Sequence, residues 1–136
     1  MPAPCTYDYA IVRVVPHVER GEFVNAGVIV ACARRNFLEA RIELDEARLL
    51  ALDAGADLES IRVALMAIPV ICAGGEAAGA IGRLPVRQRF DWLVAPRSTS
   101  IQVSSVHSGR CADLDEALEQ LMDRMVRSPN RAPGER

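Results

Sequence analysis

Three groups of polar residues have the types and spacing to do chemistry. In the first, Arg13 stands inside the apolar run YDYAIVRVV (7–15), and Glu22 follows the next turn. A guanidinium drawn out of water needs a partner. If 16–21 is a hairpin loop, Val15 falls opposite Glu22 and Arg13 opposite Val24, so Glu22 is diagonal to Arg13 on one face. Such a pair either fixes hairpin register or holds a polarised carboxylate in a pocket. In the second group, Asn25 and Gly27 fall on the opposite strand face from Glu22. A strand glycine marks a bulge or a close approach, and the amide beside it either binds a ligand or satisfies a nearby backbone group. In the third, Arg97 and Ser98 follow Pro96, and Ser98, Ser100, Gln102 and Ser104 share one parity of a polar strand. A bulge at Ser104 and Ser105 would return Val106 to the apolar side and bring His107 to the polar one. Arg97 with Ser98 can grip a phosphate or carboxylate, or Arg97 can cap the carbonyls of the helix before it. Glu22 and His107 together would supply an acid and a base for hydrolase or nuclease-like chemistry.

Charge gathers around the third group. Arg83, Arg87, Arg89, Arg97 and Arg110 face one acid, Asp91, between positions 83 and 111, so this segment carries +4 in a chain of formal charge −2. If the fold collects these side chains, with Arg89 and Arg97 at the centre, they form an anion-attracting patch. The acidic remainder argues against a general nucleic-acid coat, while a local nucleic-acid contact stays open. All sixteen basic residues are arginine. That suits bidentate binding of carboxylates and phosphates, and it also fits a GC-rich coding bias, given the plentiful Ala, Gly and Pro.

Cys5, Cys32, Cys72 and Cys111 include no Cys-x-x-Cys pair, and there are two histidines. Neither a zinc site nor a disulfide framework is indicated, and the cysteines read as small buried hydrophobes. No nucleophile elbow, Walker sequence or metal-binding histidine pair occurs, so no metal and no cofactor are expected. The stretch GGEAAGAIG (74–82) follows a helix and lacks a Gly-Lys-Ser/Thr ending, so it reads as a flexible loop rather than a phosphate cradle.

The elements that must position these residues follow from periodicity. Apolar residues at both parities of 7–15 predict a strand covered on both faces. The run 22–32 reads as its antiparallel partner, and alternation over 38–44 gives a half-buried third strand. Asp45 caps a short helix to Ala54, and Asp57 caps a second with Leu58, Ile61, Leu65 and Ile68 on one stripe, which Pro69 kinks or stops. Pro85 opens a third helix with Val86, Phe90 and Leu93 inward, ended by Pro96. A polar strand follows. Asp113 and Glu116 then start a helix with Leu114, Ala117, Leu118, Leu121, Met122 and Met125 on one face. The expectation is an α+β fold over 1–127, a mainly antiparallel sheet with a three-stranded N-terminal meander plus one later strand, packed with about four helices. A disordered tail at 128–136 would complete the chain of 136 residues. No apolar run spans a bilayer and no signal peptide is evident, so no membrane contact and a cytoplasmic location are expected.

The segments YDYAIVRVVP with RGEFVNAGVIV, and RQRFDWLVAPRSTSIQ with VHSG, resemble the bacterial domain-of-unknown-function family 3037 from about Tyr7 to Val126. The resemblance implies a small bacterial cytosolic protein. It further implies an accessory or toxin-antitoxin-like partnership with a HipA-like kinase encoded beside it. It puts forward the polar residues of both blocks as the site: Arg13, Glu22, Asn25, Arg89, Arg97, Ser98, Gln102 and His107. The function expected is an accessory or regulatory binding module that holds an anionic ligand or an acidic protein partner through the arginine-rich segment.

Overall fold

A computed structural model of the chain describes residues 3–97 and 99–127. The predicted tail at 128–136 and Ser98 lie outside the described residues. The fold is α+β. Strand β1 (Cys5–Val14) pairs antiparallel with β2 (Val24–Cys32), which pairs antiparallel with β3 (Phe37–Ile42). Helices α1 (Glu46–Leu52), α2 (Leu58–Ala73) and α3 (Val86–Val94) follow. Two short strands, β4 (Ile101–Val103) and β5 (His107–Cys111), then pair antiparallel with the free edge of β1, and α4 (Leu114–Met125) ends the order.

Both faces of the sheet are covered, which is why β1 and β2 are apolar at both parities. Val12, Val14, Ile29 and Ala31 pack towards α1–α3, against Leu49, Leu65, Ile68, Phe90 and Leu93. Tyr7, Ile11, Val28 and Val30 pack towards α4, against Leu114, Leu118, Leu121 and Met122. The three predicted aspartate caps are present: the side chains of Asp45, Asp57 and Asp113 accept from the backbone N–H groups of Arg48, Ser60 and Glu116. Each satisfies a donor that the helix start would otherwise leave unpaired.

The later strand differs from the expected single element because it is interrupted. Val12 pairs with Val103, whereas Tyr9 pairs with His107, so one extra residue is accommodated around Ser105. Ser104 spans the break: its N–H donates to the Ile11 carbonyl and its hydroxyl accepts from the Ile11 N–H. The hydroxyl replaces a missing ladder carbonyl, and Ser104 is the one buried polar residue among those described. This break places Gln102 and His107 on one face, as the bulge reading required. Val106 is exposed rather than apolar-side filler.

A second irregularity corrects the hairpin register. Val12 pairs with Gly27 but Arg13 pairs with Asn25, leaving Ala26 as the extra residue of β2. Asn25 and Gly27 therefore face opposite sides, not the same side. Gly27 is required by proximity, since a Cβ there would lie 2.5 Å from the Arg41 carbonyl oxygen. Three further expectations give way. Pro69 lies inside α2 without ending it, because buried Leu65, Ile68 and Cys72 hold the helix on both sides of the missing N–H. The 74–82 stretch is not an open loop: residues Glu76–Arg83 form 3₁₀ turns broken at Gly79 (φ 67°), closed by the Gly75 N–H donating to the Gly82 carbonyl. The first helix ends at Leu52 and β3 at Ile42, each two residues short of the expected ends.

Candidate functional site

Two of the arginines of 83–110 are engaged within the protein. Arg87 pairs with Asp8 and Asp91. Ser108 also donates to Asp8, tying β1, β5 and α3 together. Burial by itself would raise the Asp8 carboxyl, but the hydrogen bonds from Arg87 and Ser108 outweigh it and hold the group below its ordinary value. Arg89 donates to the Leu84 carbonyl at 2.6 Å and the Cys72 carbonyl at 3.2 Å, stapling the end of α2 to the approach to α3. Burial pushes the neighbouring Cys72 thiol up to about 12, which keeps it a protonated packing group. Arg83 and Arg110 are exposed. Charge summed along the chain therefore overstated the patch, because Arg87 and Arg89 are engaged within the protein.

Arg97 is different. Its guanidinium lies 4.5 Å from the centre of the Trp92 ring and donates to the carbonyls of Trp92, Leu93 and Ala95. This is the helix-capping alternative, yet among the described residues it leaves two of the five guanidinium N–H donors unused. Among the described residues no carboxylate pairs with it. Arg97 stands at the rim of a groove of about 530 Å³ between α2, the end of α3 and β4. Ile61, Ile68 and Ile71 of α2, Leu93 of α3 and Ile101 of β4 supply its apolar surface, and Asp53 and Asp57 lie on its lining. The space exists because α2 presents the small side chains of Ala64 and Ala67 to it, and because β4 is only three residues long. Trp92 was missed from the sequence, although a signal was there. It falls off the Val86, Phe90, Leu93 stripe, so the chain's single tryptophan had to be outward-facing, and it is 41% exposed.

The two polar blocks meet elsewhere, at the end of the sheet on the α4 side. Asn25 of β2, Arg13 of β1 and Gln102 of β4 are register partners in one row. Asn25 donates to the Met125 carbonyl at the end of α4, at 2.9 Å. Gln102 turns its amide to the Thr99 carbonyl. Among the described residues Arg13 has no ion pair: its guanidinium stacks 4.2 Å from the Phe23 ring centre. Its Nε and the Asn25 Oδ1 are sealed from solvent without a hydrogen-bond partner among the described residues. Each such atom costs about 1–3 kcal/mol.

The expected Arg13–Glu22 pair is absent because Glu22 lies before β2 and binds Arg20 at 2.6 Å. That hydrogen bond lowers the Glu22 carboxyl below its ordinary value. His107 lies opposite Tyr9, with the two rings 5.5 Å apart. Val24, two residues beyond Glu22, pairs with Val14. Tyr9 and Val14 are five residues apart on β1, about 16 Å at strand rise, and the structure does not bring Glu22 and His107 together. Among the described residues no group of three or more His, Cys, Asp or Glu side chains is arranged to hold a metal ion, and no single helix is long and apolar enough to cross a membrane.

No curated protein and no solved structure matches the chain. Residues 9–126 match the model described as protein of unknown function DUF3037, and the chain therefore belongs to the DUF3037 family.

Proposed function

We propose that this chain is a binding module whose α2–α3–β4 groove holds a small amphipathic anion, an acyl or aryl body carrying one carboxylate. The supporting observation is the combination of a largely apolar groove of about 530 Å³ with Arg97 at its rim, charged and without a carboxylate partner among the described residues. Ligand pockets commonly occupy about 300–1,000 Å³ and combine apolar walls with a few fixed polar groups. Arg97 is pre-positioned by three carbonyls and the Trp92 ring. Little side-chain freedom remains to be lost when an anion arrives. Asp53 and Asp57 on the groove lining disfavour a second negative charge, so a monoanion fits better than a dianion. The alternative of acid–base catalysis by Glu22 and His107 draws no support from their separation.

Trp92, the single tryptophan, is a built-in reporter. Titration with decanoate should change its fluorescence saturably. Arg97→Ala should weaken binding about tenfold or more, the scale of a lost charge-assisted hydrogen bond, and Ala67→Phe should block the groove. A signal that never saturates, or that is the same in both variants, rejects the reading.

A further inference from the structure

We propose a second binding site, centred on Arg13 on the α4 side of the sheet, that takes a planar carboxylate. It rests on observations independent of the groove. Arg13 is a half-buried cation on a central strand, and no acid or carbonyl accepts from it among the described residues. Cations in such positions are ordinarily paired, because desolvation is otherwise uncompensated. Here the surroundings are ordered so that they can receive an anion. Phe23 supplies a platform against one face of the guanidinium, and because the Nε–H is sealed from solvent, the terminal nitrogens form the edge that meets a ligand in the plane of the group. Asn25, its register partner on one side, is held by the Met125 carbonyl, and Gln102 is its partner on the other. An in-plane donor edge matches the two oxygens of a carboxylate.

The charge nearby selects among anions. Beside the end of α4, on which Asn25 docks, Arg127 binds Glu43, Glu119 and Asp123, and Arg41 of β3 binds Glu119. With Arg124 in the last turn of α4, three arginines stand against these three carboxylates, a balanced neighbourhood in which Arg13 matches the single charge of a carboxylate, while a phosphate dianion would lack a second cation. The strand irregularity at Ala26 creates the site: it turns Asn25 to the face of Arg13, where an unbroken ladder would pair Arg13 with Ala26.

The test is a nuclear magnetic resonance titration of the full chain, following the Arg13 Nε–H and the Asn25 side-chain amide, with Arg83 and Arg110 as exposed controls. Sodium acetate should shift the Arg13 and Asn25 signals saturably, at concentrations where the Arg83 and Arg110 signals move only linearly. Arg13→Gln should abolish the Asn25 shift, and Phe23→Leu, a change at an exposed residue that leaves the guanidinium in place, should weaken it several-fold. The second variant keeps the test decisive if the first does not fold. Shifts equal to those of the controls, an Asn25 response that persists in Arg13→Gln, an affinity unchanged in Phe23→Leu, or saturation by inorganic phosphate in preference to acetate would each overturn the proposal.

Discussion

On the α4 side of the sheet a single helix closes the face, placing Leu114, Ala117, Leu118, Leu121 and Met122 almost wholly out of water. On the other side three helices share the work and close it less completely. Helix α2 has no charged residue from Val63 to Ala73, so it is apolar nearly all round. Only Leu65, Ile68 and Cys72 of it are buried, while Val63, Met66 and Val70 face outward and Ala64 and Ala67 line the groove. An amphipathic helix such as α4 completes a core, whereas a uniformly apolar one leaves surface that packing within the chain does not use. The same sheet thus has a sealed face with a polar site at its end and an open face with an apolar groove.

Substitutions of opposite kinds should separate the two faces. The largest effect is expected from Leu118→Ala, which empties a fully buried position under α4. It should lower unfolding free energy by about 2.7–5 kcal/mol in a denaturant titration. Next come paired enlargements. Ala117→Leu on the sealed side should destabilise by about 1–3 kcal/mol through overpacking. Ala64→Leu in the groove should stay within about 0.5 kcal/mol, as at a surface position. Equal costs at the two alanines would mean that the groove is not open space.

The fold was legible wherever a local signal decided the outcome. The three aspartate caps, the doubly covered β1 and the inward stripe of α4 are each set by residues within a few positions of one another. What was not legible depended on tertiary partners. The Arg13–Glu22 pair failed because a bulge at Ala26 changes register, and nothing in VNAGVIV beyond Gly27 hinted at where the extra residue would sit. Pro69 offered a kink or a stop, and the stop did not follow, since the packing that carries α2 past it is contributed by other elements. The anion-attracting patch shrank for the same reason: Arg87 and Arg89 find Asp8 and the Cys72 carbonyl across the fold. Of the candidate site residues, Arg13, Asn25 and Gln102 do come together, while Arg97 belongs to a groove whose Trp92 and small α2 residues had passed unnoticed.

The smallest effect concerns the tie between the layers at Asp8. Its carboxyl is held below the ordinary value when folded. The ionised form therefore stabilises the fold above the unfolded value of about 3.9, and that contribution is lost as pH falls through the lower folded value. With Arg87 about half exposed, Asp8→Asn should cost less than about 1 kcal/mol near neutrality. The gap from the unsubstituted chain should close below about pH 4. A gap independent of pH would assign the loss to packing instead.

The contrast between the faces is tested most directly by methyl spectra recorded with and without decanoate. Ile61, Ile68, Ile71 and Ile101 line the groove, whereas Leu114, Leu118 and Leu121 lie beneath α4. A groove that holds an amphipathic anion predicts saturable shifts confined to the isoleucines, with the leucines unmoved. Shifts spread equally over both sets, or none in either, would contradict it.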